Sequence, residues 1–408
     1  MALNTAALPP TVAEGENQAL VRGYIDRLLM SLLDQISLSS SEGRPSITLR
    51  CRPNSATCVI NTTNRALEGC RNEETYRSYS WPGSTAYESW KFTVIIRFLG
   101  VVDHALRTGQ LISKRRVALL NFDAKGALSS FRSSNTRDIF YIDPAYFRSQ
   151  QTVNCVVDEL AYTIGVDRTA LNVEAAGKGL VAGCFRLKRD STVIVDAQIT
   201  EDTMVPRIQD SDEIDISGAR WVFIIEKDAI FHRLVRSSYH TRAIMGDGIL
   251  ITGKGYPDIS TRKFVHRLFD VASNSKHRAP RFYALVDGDP HGIAIMSTYK
   301  YGSLAHLHEN ARLGIPGLQW LGLRITDAIL ASESSGANDL LFLTARDRTK
   351  IIAMLRNSPV WSSNGPEPEW RVELQRMLLL NVKAEIEMLY EQDGGLETWI
   401  DHKLFRQT

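Results

Sequence analysis

Four apolar stretches in the second half of the chain constrain the fold most. They lie within RWVFIIEKDAIFHRL, GILITG, RFYALVDGDPHGIAI and DLLFLT, and sequence typical of helices separates them. Continuous apolar strands that alternate with helices indicate a parallel sheet whose two faces are both covered. We therefore predict that the chain from 207 to 408 is an α/β domain built on these four strands.

Acidic residues follow two of these strands directly. Glu226 comes after the first strand, and Asp287 and Asp289 come after the third, between glycines that let a charged ligand approach the backbone. Open α/β sheets bind ligands at the carboxyl ends of their strands, and Mg²⁺ prefers carboxylate oxygen. The alternative is that the acids cap the helices that follow. For Glu226 taken alone, capping is the preferred interpretation.

The N-terminal part predicts one helix and a polar segment. Apolar residues recur at helical spacing within 18–36, so that a helix there either docks on its own core or presents its apolar stripe to a partner. The residues that follow are rich in Ser, Thr, Asn, Arg and Gly, which is typical of a linker. We assign 1–36 to a partner-binding helix and 37–86 to a flexible linker.

The middle of the chain has the pattern of a small DNA-binding module. Amphipathic helices are predicted in WKFTVIIRFLGVVDHAL, 152–165 and 167–174, and strands are predicted in GLVAGCFRL and TVIVDAQI. Three helices with a β wing suit a winged-helix domain, which usually lays one helix in a DNA groove. The predicted fold class is thus α/β plus α+β, with a winged-helix module over 87–206 before the parallel α/β domain.

One short stretch of this module raises a catalytic possibility. In NTRDIFYIDPAYFRSQ, Tyr141 follows Arg137 by four positions, which on a helix places the two side chains on one face. The tyrosine is either packed at a strand edge or is a nucleophile with a charge partner. A tyrosine is mostly protonated at pH 7, so nucleophilic attack by its oxygen needs a nearby cation or base.

Composition excludes several classes of protein. The apolar fraction of 44% and the charged fraction of 23% are those of an ordinary folded protein. The first residues carry no signal-peptide pattern, and no apolar stretch is long enough to span a membrane. Export and membrane insertion are therefore not indicated. The five cysteines are odd in number and form no CxxC pair, which argues against a disulfide framework and a zinc site.

Charge and two further motifs bear on ligand binding. The net charge is only +2, but 107–116 carries four positive charges and no negative one, a stripe that either binds phosphates or is a solvated face. GILITGKG matches the spacing of a phosphate loop, but Gly255 stands where a hydroxyl should bind Mg²⁺, so ATP binding there is rejected. His306 and His308 are poorly spaced for a metal on a helix.

Taken together, the motifs resemble those of a known family, the A subunits of topoisomerase VI with their meiotic relatives, which make DNA double-strand breaks. They run in the family order from about 90 to 383, and are TRDIFYIDPAYFRSQ, LNVEAAGKGLVAG, VFIIEKDAIFHRL, TGKGYPDISTRKF, LVDGDPHGIAIMSTYKYGS and LQWLGL. The resemblance implies that the α/β domain is of the Toprim type. The segments 37–86 and 117–134 depart from the family pattern.

The resemblance also implies roles for particular residues. Tyr141 is expected to be the nucleophile, with Phe140 in the place where many relatives have a second tyrosine, and Arg137 is expected to be its charge partner. The expected ligands of Mg²⁺ are Glu226, Asp287 and Asp289, and the expected DNA contacts are Lys178, Lys254, Tyr256 and Arg262.

The implied function is the formation of meiotic double-strand breaks in the nucleus, on chromosomes, through a 5′-phosphotyrosyl link. The enzyme class is that of the type IIB, ATP-hydrolysing topoisomerases, with double-stranded DNA as substrate. The implied partners are a second copy of the chain, a B-like subunit that carries the ATPase, and other break-forming proteins. The alternatives are the A subunit of a topoisomerase VI that reseals its breaks and a catalytically silent DNA-binding scaffold.

Overall fold

The computed structural model divides the chain into two compact units. It describes residues 12–38, 44–52, 58–69, 75–108, 112–113, 144–174, 177–197, 202–209, 211–275, 279–307, 309–335, 340–392 and 394–407. The first unit comprises the described residues within Met1–Pro53 and Cys70–Ala176, and the second those within Asn54–Gly69 and Gly177–Thr408.

The helices and strands alternate irregularly along the chain. The helices are α1 (Val12–Ser37), α2 (Ala86–Thr108), α3 (Pro144–Phe147), α4 (Gln150–Ile164), α5 (Asp228–Arg236), α6 (Tyr239–Arg242), α7 (Ile259–Ser273), α8 (Pro290–Lys300), α9 (Ile325–Ser335), α10 (Ala345–Asn357), α11 (Pro368–Leu380) and α12 (Gly395–Gln407). The strands are β1 (Ser46–Arg50), β2 (Cys58–Ile60), β3 (Leu67–Gly69), β4 (Tyr76–Ser80), β5 (Ile112–Ser113), β6 (Val173–Glu174), β7 (Leu180–Gly183), β8 (Arg186–Arg189), β9 (Thr192–Asp196), β10 (Thr203–Met204), β11 (Glu213–Asp215), β12 (Trp221–Ile225), β13 (Gly248–Thr252), β14 (Arg281–Leu285), β15 (Gln319–Gly322), β16 (Leu341–Phe342) and β17 (Val382–Lys383).

The first unit packs α1, α2 and α4 around one apolar core, beside the antiparallel pair of β1 and β4. Helix α4 has well-defined ends, because the Ser149 side chain accepts the Thr152 N–H at its start and Gly165 adopts φ 80° at its end. Both ends supply partners for backbone groups that the helix itself leaves unbonded.

Helix α1 divides its apolar residues between the core and solvent. Val21, Ile25 and Leu32 are buried in the core of the first unit, whereas Leu29 and Leu33 are 47% and 57% exposed. The helix therefore docks on its own core and also has an apolar stripe that the described residues leave uncovered. The docking alternative is confirmed for the buried residues of α1, and a partner role for the exposed residues stays a prediction.

The second unit is built on a six-stranded sheet of order β10-β7-β13-β12-β14-β15. Strands β13, β12, β14 and β15 run parallel, while β7 and β10 are antiparallel additions at one side. Every residue of β12 and β13 is buried, so both faces of the sheet are covered. This confirms the parallel α/β domain that the continuous apolar stretches predicted.

The fourth parallel strand is not the predicted one. DLLFLT forms only the two-residue strand β16, which pairs with β17 outside the main sheet and leaves Phe342 75% exposed. The fourth parallel strand is β15, within LQWLGL, and its register to β14 shifts between Ala284 and Leu285. Strand β15 is hard to predict from sequence because it is short and contains glycine, and its apolar stretch is no longer than those found in many loops.

The strands expected to form a wing belong to the second unit. Strand β7 pairs with β13 in the main sheet, and β8 lies between β9 and β11 in a separate antiparallel sheet. All four residues of β7 are buried, which suits a strand inside a covered sheet better than a solvent-exposed wing. The winged-helix assignment therefore lacks its predicted wing and stays a proposal for the helices of the first unit.

The segment predicted as a linker carries strands in its described parts. Strands β2 and β3 form an antiparallel hairpin that packs on the core of the second unit. The Leu67 N–H donates to the Tyr301 carbonyl (2.8 Å), and the Asn310 side-chain amide donates to the Leu67 carbonyl (3.0 Å). These distant partners hold the hairpin on the second unit, while Asn61 and Asn64 accept backbone N–H groups within its turn. The functional limits of the domains stay predictions.

Candidate active site

The structure brings the three predicted acids together at one edge of the parallel sheet. Strands β12 and β14 are parallel neighbours, with Ile225 opposite Leu285, so that the residues that follow them lie side by side. The Asp287 N–H donates to Glu226 Oε2 at 3.0 Å. The clustering inferred from strand order is thus what the backbone pairing produces.

Each acid is held differently. Asp289 is the N-cap of α8, where its Oδ1 accepts the Gly292 N–H at 2.7 Å. Asp287 Oδ1 accepts the Ile386 N–H at 3.0 Å, and its Oδ2 lies 3.0 Å from Lys227 Nζ. The capping alternative is therefore correct for Asp289. Glu226 caps no helix among the described residues, and Asp287 bonds the first N–H of the short 3-10 helix Ile386–Glu391 rather than that of the helix that follows its own strand.

Gly292 allows α8 to begin against the carboxylates. A Cβ atom at this position would lie 2.4 Å from the Asp287 carbonyl oxygen and 3.1 Å from Glu226 Oε2. No side chain fits there without moving the backbone. The glycine after DGDPH, which the sequence suggested as a means of close approach, thus serves the packing of α8 on the acid cluster.

The acids accumulate negative charge in a poorly solvated place. Burial, followed by the charges of Asp287 and Asp289, raises the pKa of Glu226 to about 8. Burial also raises the pKa of Asp287 to about 6, although the Ile386 N–H and Lys227 oppose this effect. Repulsion and desolvation both disfavour full ionisation. A cation bound among these oxygens would relieve both.

The oxygen atoms that remain suit magnesium. Within the described ranges no group of three His, Cys, Asp or Glu residues is arranged to hold a metal ion by itself. However, Mg²⁺ keeps several waters and needs only one or two carboxylates. Glu226 Oε1 and Asp289 Oδ2 make no hydrogen bond to the described residues, so two oxygens are available for a hydrated ion.

Lys227 is a further member of the site that the sequence did not single out. Its Nζ lies 3.0 Å from Asp287 Oδ2, 3.3 Å from Glu385 Oε2 and 2.5 Å from Glu387 Oε2. Burial works against its charge, but the bonds to Glu387 and Asp287 outweigh burial and raise its pKa. In the sequence, only its position next to Glu226 pointed to Lys227, because its partners Glu385 and Glu387 are distant in sequence.

Three of the four predicted DNA contacts lie around the loop between β13 and α7. The exposed Lys178 donates through Nζ to the Lys254 carbonyl at 2.9 Å. Lys254 and Gly255 have φ angles of 51° and 87°, and the Gly255 N–H donates to the Glu226 carbonyl at 2.8 Å. The loop is therefore tied to the acid cluster, and Tyr256 beside it is 45% exposed.

Arg262 requires a correction. It is 1% exposed inside α7, where its guanidinium donates to Asn310 Oδ1 at 3.4 Å, and burial lowers its pKa to about 10. A fully buried side chain cannot reach a DNA backbone, so Arg262 is removed from the proposed DNA contacts. The prediction was wrong because a basic residue is expected at the surface, whereas this residue lies on the face of α7 that packs on the core.

Beside Tyr256 lies a second cation that the sequence did not indicate. Lys350 Nζ on α10 donates to Tyr256 Oη at 2.8 Å and lies 2.9 Å from His291 Nδ1. Burial lowers the pKa of Lys350, while the nearby charge of Asp289 opposes this effect. Burial and the charges of Asp289 and Glu226 raise the pKa of Tyr256 to about 12. These side chains border the acid cluster.

The predicted nucleophile and its charge partner, Tyr141 and Arg137, lie outside the described residues. The nearest described elements that follow are α3 and α4. The roles of both residues stay predictions.

Two family models match the chain. The model for the Toprim domain of the topoisomerase 6 A subunits, which includes Spo11, matches residues 221–404, which contain the three acids. The model described as "Type IIB DNA topoisomerase" matches residues 120–173, which contain Arg137 and Tyr141. The first match falls where the sequence motifs placed the Toprim domain, and the second covers the motif that contains Tyr141.

Similar proteins come from animals, fungi and plants. The meiotic recombination protein SPO11 of Homo sapiens is 35% identical over 254 residues, which cover 62% of this chain and 61% of that protein. The meiotic recombination protein rec12 of Schizosaccharomyces pombe is 29% identical over 390 residues, 95% of each chain. SPO11-1 of Oryza sativa subsp. indica is 32% identical over 311 residues, 76% of each chain. In the described residues no helix is long and apolar enough to cross a bilayer.

Proposed function

The chain belongs to the family of Spo11 and the topoisomerase VI A subunits, as its motifs indicated, and from this membership we propose that it forms DNA double-strand breaks in meiotic recombination. One observation carries the proposal. The same chain matches the type IIB topoisomerase model over 120–173 and the Toprim model over 221–404, and the acids of the Toprim domain meet at the ends of β12 and β14. The reaction would take place on chromosomes in the nucleus. The resealing alternative is not favoured, because the relatives are named as recombination proteins.

The proposed reaction is a transesterification. Tyr141 Oη loses its proton and attacks the phosphorus of a DNA phosphodiester, the bond between phosphorus and the 3′ oxygen breaks, and the 3′ oxygen leaves as a hydroxyl after taking up a proton. One phosphodiester replaces another, so no external energy source is needed for cleavage. Arg137 would stabilise the negative charge that develops during attack. ATP hydrolysis is assigned to a B-like subunit rather than to this chain.

Glu226 and Asp289 are the proposed principal holders of Mg²⁺, because each keeps one carboxylate oxygen without a hydrogen bond to the described residues. Asp287 would contribute an oxygen when Lys227 pairs with Glu385 and Glu387 instead. When bound, the ion would act as a Lewis acid at the scissile phosphate and the 3′ oxygen. Lys178, Lys254 and Tyr256 are proposed to contact the DNA beside it.

The proposed assembly is a twofold dimer on double-stranded DNA. In such a dimer each tyrosine would meet the acids of the other protomer, which accounts for cutting of both strands. The helices of the first unit are proposed to serve as the winged-helix DNA-binding module. The exposed stripe of α1 is proposed to bind the B-like subunit or another break-forming protein by a helix-in-groove contact.

Recovery of covalent protein–DNA complexes tests the proposal. Wild-type protein and Tyr141→Phe are purified under denaturing conditions from meiotic cells, and the attached DNA is end-labelled. We expect labelled complexes only for wild type, since the variant keeps the ring and loses the attacking oxygen. Glu226→Ala should also abolish the complexes. Wild-type levels of complex in Tyr141→Phe would refute the assignment, and their absence from wild type would count against cleavage by this chain.

A further inference from the structure

Lys350 is held in a fixed position next to the acid cluster. Three separate elements meet there: α10 supplies the lysine, α8 supplies His291, and the loop before α7 supplies Tyr256. An ammonium group has no lone pair, so it must donate to Tyr256 Oη and to His291 Nδ1. Its Nζ also lies 5.3 Å from the centre of the Tyr256 ring. The cation is therefore fixed by several contacts.

The partners of this cation are unusual because both are uncharged side-chain groups. In the described part of the chain, no carboxylate lies within ion-pair distance of Lys350 Nζ, although buried and half-buried lysines such as Lys91, Lys300 and Lys383 each have one. Two of its three N–H groups are used by Tyr256 and His291. One donor and the full charge remain for another group.

The position of Lys350 indicates what that group is. His291 follows the capping Asp289 by two residues, and the charges of Asp289 and Glu226 both act on Lys350. The lysine also lines the wall of a cavity of about 330 Å³, together with Tyr256 and Met354. The cation thus stands between the carboxylates and a mainly apolar wall. Once a metal ion neutralises the acids, an anion beside them would meet this ammonium group.

We propose that Lys350 binds a non-bridging oxygen of a DNA backbone phosphate beside the acid cluster, with Tyr256 and His291 holding the ammonium group in place. This assignment rests on the proposed function and extends it by one phosphate-contacting residue. A contact of this kind needs a positive charge and one hydrogen-bond donor. The ammonium group of a lysine supplies both.

A purely structural lysine is the competing explanation. Lys350 could serve only to hold Tyr256 by its hydrogen bond and ring contact. The two roles differ in their dependence on salt. A lysine that neutralises a phosphate releases a counterion on binding, whereas a lysine that only positions a neighbour does not.

The test measures duplex DNA binding as a function of salt. All proteins carry Tyr141→Phe so that DNA is bound and not cut, and wild type is assayed for cleavage in parallel. Lys350→Met and Lys350→Gln remove the charge, Lys350→Arg keeps it, and Arg356→Met removes an exposed charge from the same helix as a matched control. Fluorescence anisotropy gives Kd between about 50 and 300 mM KCl with Mg²⁺ present. Thermal melts check that the variants fold.

We expect Lys350→Met and Lys350→Gln to reduce the slope of log Kd against log salt by about 0.9, with the slope of Lys350→Arg and Arg356→Met near that of the parent. Weaker binding with an unchanged slope would show that the lysine only positions Tyr256, and would overturn the proposal. A slope change as large in Arg356→Met would also overturn it. Failure of wild type to cleave and of the parent to bind DNA would instead refute the proposed function itself.

Discussion

Replacing Glu226 by glutamine should stabilise the protein at neutral and alkaline pH while removing its affinity for Mg²⁺. The glutamine amide oxygen can still accept the Asp287 N–H, which Glu226 Oε2 accepts at 3.0 Å. The change replaces the ionisable carboxyl by a neutral amide, and so removes a charge that burial, Asp287 and Asp289 disfavour. The residue thus trades stability for function.

The size of the effect follows from linkage between folding and proton binding. The pKa of Glu226 rises from 4.5 to about 8 on folding, so the folded state binds the proton more tightly than the unfolded state. Wild type therefore loses stability as the pH rises from 4.5 through 8, and the glutamine variant does not share this loss. Each tenfold change in proton affinity is worth about 1.4 kcal/mol. The advantage of the variant should grow by roughly 2.5 kcal/mol between pH 5.5 and 7.5.

Urea unfolding followed by tryptophan fluorescence, with a chelator present, measures this difference at both pH values. Glu369→Gln is the matched control, because the Glu369 side chain is 68% exposed in its pair with Arg324, and it should follow wild type. Added Mg²⁺ should then stabilise wild type but not Glu226→Gln. Equal changes in stability with pH for wild type and Glu226→Gln would refute the argument that folding raises the pKa of Glu226.

Three further predictions concern assembly and packing. A mixed dimer of Tyr141→Phe and Glu226→Ala chains should nick one strand if each site is shared between protomers, as measured on supercoiled plasmid; an inert mixed dimer would contradict shared sites. Leu29 is 47% exposed, so Leu29→Asp should weaken capture of a B-like partner with little change in melting temperature. Leu32 is 6% exposed, so Leu32→Asp should lower the melting temperature. Asn310→Ala should cost about 3 kcal/mol and increase proteolysis of the β2–β3 hairpin, since the β3 carbonyl loses its donor; equal protection would refute this.

Much of the parallel sheet could be predicted from sequence because its central strands are buried on both faces. Strands β12, β13 and β14 each show as an unbroken apolar run, and the acids that follow β12 and β14 then meet by topology alone. Strand β15 was not predicted, because its apolar stretch is short and contains glycine. DLLFLT was predicted instead because it is more apolar, but both residues of β16 within it are exposed.

The rest of the site depends on contacts between residues distant in sequence. Lys350 reaches Tyr256 across 94 positions, and Lys227 reaches Glu387 across 160. Neither residue lies in a pattern that local periodicity could detect. Arg262 shows the opposite error, since basic residues usually face solvent, whereas this side chain is buried and donates to Asn310, 48 positions away. Asn310 and Tyr301 likewise contact the β2–β3 hairpin only through the fold, by hydrogen bonds to Leu67.

Cleavage by Tyr141 is tested most directly by identifying the residue that carries the DNA. Covalent complexes are digested with nuclease and protease, and the peptide that retains a nucleotide is sequenced by mass spectrometry. We predict a nucleotide joined through its 5′ phosphate to Tyr141, in the peptide DIFYIDPAYFR that also contains Tyr146. A nucleotide on Tyr146, or one joined through a 3′ phosphate, would contradict the proposed reaction.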